Sequence, residues 1–227
     1  MPFKVIKQNI LKFNEDRADK IRRTLDKRGV FMVNIISSPG SGKTTLLEKV
    51  TPLLKSEEIS FAILAGDCFT SNDAVRLDKA GAKVTQINTG NACHIDAQLI
   101  QKALKEVNIG ELDFVIVENV GNMVCPAEFD LGEDCKIALL SVPEGHDKPL
   151  KYPLLFKESE LVIINKLDLL KQTDFDLEQC EKNIFKVNPK VCILKMSCRN
   201  GRGINAFVKW IKERISNKNK SFDLATS

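Results

Sequence analysis

Val30-Phe-Met-Val-Asn-Ile-Ile36 followed by Ser37-Ser-Pro-Gly-Ser-Gly-Lys-Thr-Thr45 is the stretch that decides the fold. A run of seven almost wholly apolar residues reads as a strand buried on both faces. The glycine-rich turn and the helix expected over 43–57 then read as a phosphate-binding loop. In such a loop the backbone N–H groups of Gly40, Ser41, Gly42, Lys43, Thr44 and Thr45 converge on phosphate at a helix N-terminus. Lys43 would reach the β- and γ-phosphates, and the Thr44 hydroxyl would sit on magnesium. One departure is visible, since Ser37 stands where the usual pattern begins with glycine.

Outward from this stretch, apolar runs recur at 61–65, 84–87, 114–117, 137–142, 161–164 and 191–196. Helical patterns separate them, at about 10–29, 43–57, 71–81, 94–108, 149–158, 174–187 and 204–216. The alternation predicts an α/β fold, a doubly wound, mainly parallel seven-stranded sheet flanked by helices. The expected organisation is an N-terminal helical segment over 1–29 packed on a nucleotide-binding domain over 30–216, with a flexible polar tail over 217–227. A chain of 227 residues with a net charge of +4 gives no electrostatic case for nucleic acid or an acidic membrane. The N-terminus lacks a signal-peptide core, and no apolar run reaches membrane-span length, so a cytoplasmic protein is expected. Seven cysteines without a secretion signal argue for reduced thiols.

The later motifs specify the nucleotide. Leu161-Val-Ile-Ile-Asn-Lys-Leu-Asp168 ends a strand with Asp168 placed to accept from both N1–H and the 2-amino group of guanine. Asn165 would meet the other edge of the base and the Lys166 stem its face; Ser197 offers a second base-contacting loop. Glu118, at the end of Phe114–Glu118, and Asp67, at the end of Phe61–Asp67, are the oxygen ligands expected for magnesium. Lys43, Asp67 and Glu118 together form the expected catalytic set. Asp73 reads equally as a ligand or as a helix N-terminal acid. No side chain stands out as a general base, and phosphoryl transfer does not demand one.

Asn88-Thr-Gly-Asn-Ala-Cys-His94 places a thiol beside an imidazole where a helix is expected to start, and Cys125 lies just beyond Glu118. Two thiolates and an imidazole suit nickel or zinc; the residues alone leave packing thiols as the alternative. The motifs taken together, with Glu118-Asn-Val-Gly-Asn-Met-Val-Cys-Pro-Ala127 and Ser141-Val-Pro-Glu-Gly-His-Asp-Lys-Pro-Leu-Lys-Tyr-Pro153, resemble the nickel-incorporation GTPases of nickel-iron hydrogenase maturation, the HypB family. The resemblance runs from about Val30 to Gly203. It implies GTP hydrolysis to GDP coupled to nickel delivery and a GTP-dependent homodimer. It further implies a metal site at the subunit interface made by Cys93, His94 and Cys125. The implied partners are a nickel-binding accessory protein and the hydrogenase large subunit.

Two departures bound the resemblance. Met1–Lys27 holds neither histidine nor cysteine, so no separate nickel-storage segment is expected there. Lys148 sits in a loop that the resemblance places against nucleotide across a dimer, and it reads equally as a solvated loop residue. A urease-maturation GTPase would share nucleotide and nickel, but no histidine follows Cys125-Pro126 here. A small-molecule kinase would need neither Asn-Lys-Leu-Asp nor the thiols. A non-enzymatic nickel- or zinc-binding module would bind metal without turning over GTP.

Overall fold

The seven apolar runs assemble into one sheet in the computed structural model, which describes residues 2–67, 72–90 and 92–226, with the side chains of 11–222 among them. The strands are β1 (Phe31–Ser37), β2 (Phe61–Asp67), β3 (Lys83–Asn88), β4 (Phe114–Glu118), β5 (Cys135–Ser141), β6 (Ser159–Asn165) and β7 (Cys192–Lys195). Their order is β3-β2-β4-β1-β5-β6-β7 and every pairing is parallel. β1 and β4 are buried at every position, as central strands covered by helices on both faces must be.

The helices are α1 (Pro2–Asp26), α2 (Lys43–Ser56), α3 (Asn72–Lys79), α4 (Ala97–Ala103), α5 (Cys125–Glu128), α6 (Lys148–Lys151), α7 (Pro153–Glu158), α8 (Leu177–Val187) and α9 (Ile204–Thr226). Leu46, Leu47 and Val50 of α2 share one core with Phe207 and Ile211 of α9. Ile21 and Leu25 of α1 pack with Ile100 of α4 on the opposite face. Phe156 of α7 and Ile184 of α8 close a third cluster over β5 and β6. Among the described residues no helix is long and apolar enough to cross a membrane.

Four elements differ from expectation. The first helix, expected at about 10–29, spans Pro2–Asp26. The helix expected from 94 begins at Ala97, because Asp96 takes the N-cap and accepts from Leu99 N at 2.8 Å. The helix expected over 149–158 is split at Tyr152, where the residue before Pro153 leaves helical geometry. The helix expected to stop at 216 runs on through the supposed tail to Thr226. Lys218 explains the extension. It pairs with Asp26 at the end of α1 and with Asp134 just before β5.

The register aligns the carboxyl ends of the central strands, with Ile35 opposite Glu118 and Ser141 opposite Asn165. β1 lies between β4 and β5, where strand order reverses. The crevice at such a reversal is where open α/β sheets take ligands.

Candidate functional site

The loop that leaves β1 holds its own cation. Lys43 is buried, and its ammonium donates to Ser37 Oγ at 2.9 Å. Ser37, the departure from the glycine pattern, thus gives the lysine a neutral partner. Burial lowers the Lys43 pKa, while Glu118, Asp73 and Glu144 pull it back up. Gly42 has φ 105°, and a Cβ there would lie 2.5 Å from Asn165 Nδ2, so the position requires glycine. Ser41 donates to Glu144 at 2.6 Å.

A cleft of about 430 Å³ opens over this loop, lined by Gly40, Lys43, Thr44, Asp67, Asp73 and Glu118 among others. Thr44 donates to Glu118 Oε1 at 2.6 Å, while Glu118 Oε2 is buried with no hydrogen-bond partner. A buried, half-satisfied carboxylate beside a threonine hydroxyl fits a divalent cation held by oxygen ligands. Burial pushes the Glu118 carboxyl up to about 6, against the pull of Thr44 and Lys43. A folded-state pKa above the unfolded value contributes stability that is full below about pH 4.5 and is lost as pH rises through about 6. Glu118→Gln is therefore expected to stabilise the metal-free protein at neutral pH by up to about 2 kcal/mol, with no gain near pH 4. Urea unfolding at the two pH values checks this; equal midpoints at neutral pH would count against it.

Arg76 lines the same cleft and carries no motif of its own. Its guanidinium bonds Glu48 at 2.6 and 3.0 Å, Asp73 at 3.1 Å and the Thr45 hydroxyl at 3.2 Å. Asp73 is thus engaged by Arg76, an i,i+3 pair that the sequence pattern could have revealed.

A second pocket of about 380 Å³ adjoins the loop, lined by Thr45, Asn165, Lys166, Asp168, Cys198 and Arg199. Asp168 faces it, and Ser197 donates to Asp168 Oδ1 at 2.5 Å. Ser197 is fully buried, and its hydroxyl steadies the carboxylate. Both polar atoms of Asn165 are engaged, Nδ2 with Ser41 O at 2.9 Å and Oδ1 with Cys198 N at 3.1 Å. This residue braces two loops, and its NH₂ group keeps a second N–H. Lys166 adopts a left-handed backbone at φ 62° and donates to Gly40 O at 2.6 Å. Lys148 turns inward, 3.5 Å from Ser38 Oγ, 3.9 Å from Glu144 and over the Tyr152 ring. It is no solvated loop residue.

The fold brings the two thiols and the imidazole together. Cys93, His94 and Cys125 bring their ligand atoms within 4.8 Å of one another. The two sulfurs are 3.0 Å apart, and His94 Nδ1 is 3.9 Å from the Cys93 sulfur. Cys93 and His94 lie in bent chain ahead of α4, not on a frayed helix, and Cys125 opens α5. Asn122 holds the two segments together by donating to Cys93 O at 3.2 Å. Burial lowers the His94 pKa and so favours the neutral ring a metal requires; the ring also packs against Phe129 at a tilt of 33°. By contrast, burial pushes Cys198 to about 11 and Cys180 to about 12, as packing thiols. A larger open groove of about 720 Å³ between α2 and α9 carries none of these motifs.

The CobW/HypB/UreG nucleotide-binding domain matches residues 31–195. The chain is 45% identical to the hydrogenase maturation factor HypB of Rhizobium leguminosarum bv. viciae over 207 residues, 91% of this chain and 69% of the relative. The crystal structure of HypB from Helicobacter pylori in complex with nickel superposes with a TM-score of 0.85 at 38% identity, covering 90% of this chain and 95% of that one. The hydrogenase maturation factor HypB of Archaeoglobus fulgidus gives a TM-score of 0.82 at 33% identity, covering 90% and 100%.

Proposed function

The chain belongs to the HypB family of hydrogenase maturation factors, and from that premise we propose that it hydrolyses GTP to GDP and phosphate and couples this cycle to nickel delivery. One observation carries the coupling. A single short connection runs from Glu118 in the phosphate cleft to Cys125 in the thiol cluster. A shift of that connection on nucleotide exchange moves a metal ligand directly.

In this reading Gly40, Ser41, Gly42, Thr44 and Thr45 cradle the phosphates, Lys43 leaves Ser37 for the β,γ-bridge, and Asp168 reads guanine. Lys166 covers the base, and Asn165 and Ser197 hold the base loops in place. Thr44, Asp67 and Glu118 would hold magnesium, which would supply charge neutralisation to the phosphates. Nickel is cargo, held by Cys93, His94 and Cys125, and the same donor set accepts zinc. Family membership supports a GTP-dependent homodimer, an accessory nickel protein and the hydrogenase large subunit as partners.

The test is a nickel titration followed by thiolate-to-metal absorbance, with dimerisation measured in GDP and in a non-hydrolysable GTP analogue. Cys93→Ala and Cys125→Ala should each lose tight nickel binding and keep the GTP hydrolysis of the monomer. If both variants held nickel as the parent does, the cluster would not be the cargo site. Nickel should also shift the dimerisation constant by the factor with which dimerisation shifts nickel affinity, because linkage is reciprocal.

A further inference from the structure

Asn119 lies between Glu118 and the turn at Val120-Gly121, and its side chain is buried. Its Oδ1 accepts from Val120 N at 2.9 Å and from Ile95 N at 3.3 Å. Its Nδ2 donates to Asn34 Oδ1 at 3.1 Å, and Asn34 Nδ2 donates to Glu133 Oε1 at 3.2 Å. Leu131 N closes the far end on Glu133 Oε2 at 2.6 Å.

The polarity of this buried chain is set at its Asn119 end. Two backbone N–H groups, which can only donate, face the Asn119 oxygen. A flipped Asn119 amide would set its NH₂ against two donors and strand all of them away from water. On the core side Asn119 N also donates to Ile35 O of β1 at 3.1 Å. The residue is thus tied to the strand that launches the phosphate loop, to the Glu118 strand and to the residue after His94.

Ile95 is itself fully buried and presses on the second magnesium strand. A Cβ on Gly66, next to Asp67, would lie 2.5 Å from Ile95 Cδ1. The contact between Asn119 and Ile95 N is the longest bond of the network, at 3.3 Å. Resting on the nucleotide-coupled nickel reading above, we propose that Asn119 is the positioning residue through which nucleotide state reaches Cys93 and His94, by making or breaking its bond to Ile95 N. Cys125 is moved along the chain from Glu118; Cys93 and His94 are moved through this amide.

The experiment measures nickel affinity in GDP and in the non-hydrolysable GTP analogue for the parent, Asn119→Ala and Asn119→Asp. The parent ratio should be about fivefold or more. The alanine variant should bring the ratio close to one. The aspartate variant keeps the acceptor for Ile95 N; Asn34 turns over, and Glu133, raised to about 7 by burial, carries the compensating proton. It should retain the ratio. A parental ratio of one would overturn the nickel-coupling reading itself. A coupled parent with an alanine variant equally coupled, or a folded aspartate variant uncoupled, would overturn Asn119 as the link. Should the alanine variant not fold, amide exchange at Ile95 in the unaltered protein decides, since its protection must differ between the two nucleotides. Equal protection rejects the proposal.

Discussion

Lys43→Ala is expected to lose GTP hydrolysis by at least about a hundredfold in kcat while keeping the parental melting behaviour. The ammonium stands among Glu118, Asp73 and Glu144, and Ser37 is its hydrogen-bond partner. Burying it costs free energy in the absence of phosphate, so removing it does not empty a core position. With GTP present, the same charge offsets the negative charge that builds between the β- and γ-phosphates, in a site from which most water is excluded. Single-turnover hydrolysis alongside thermal unfolding separates the two effects. A variant that hydrolysed GTP at the parental rate would remove Lys43 from the chemistry. Ser37→Gly offers a companion reading, since it takes away the resting partner and leaves the lysine charge in place.

Asp168→Asn is expected to weaken GTP binding by about two orders of magnitude or more. The carboxylate would accept two N–H donors from guanine, and an amide can accept only one while turning an NH₂ against the other. Ser197, which donates to Asp168 Oδ1, can donate equally to an amide oxygen, so the loop keeps its shape. The loss is therefore chemical and not structural. Xanthine nucleotide, whose carbonyl replaces the 2-amino group, should bind the variant better than it binds the parent. Calorimetric titration with both nucleotides is the measurement. Unchanged GTP affinity would remove guanine recognition from this pocket.

The strand–loop–helix at Val30–Thr45 and the Asn165–Asp168 exit were legible because they are local. Apolar runs, left-handed glycines and a strand-end carboxylate leave their mark within a few residues. Seven strands in a mainly parallel sheet followed from the same local alternation, whereas their order β3-β2-β4-β1-β5-β6-β7 did not. The residues alone left the thiol cluster open between a metal site and packing thiols, and only the resemblance chose between them, because Cys93 and Cys125 are separated by 32 positions. Tertiary structure alone decided what each polar group pairs with. Ser37 became the seat of Lys43, Ser197 the support of Asp168, and Asn165 a brace between loops. It also carried α9 to Thr226 through Lys218 and joined Glu133, Asn34 and Asn119 into one buried chain. A hydrogen-bond partner distant in sequence is chosen by packing, which brings the two groups together and removes water from both. Conformational preference resides in a short segment and can be read from it, whereas the pairing of buried polar groups exists only once the sheet has closed over them.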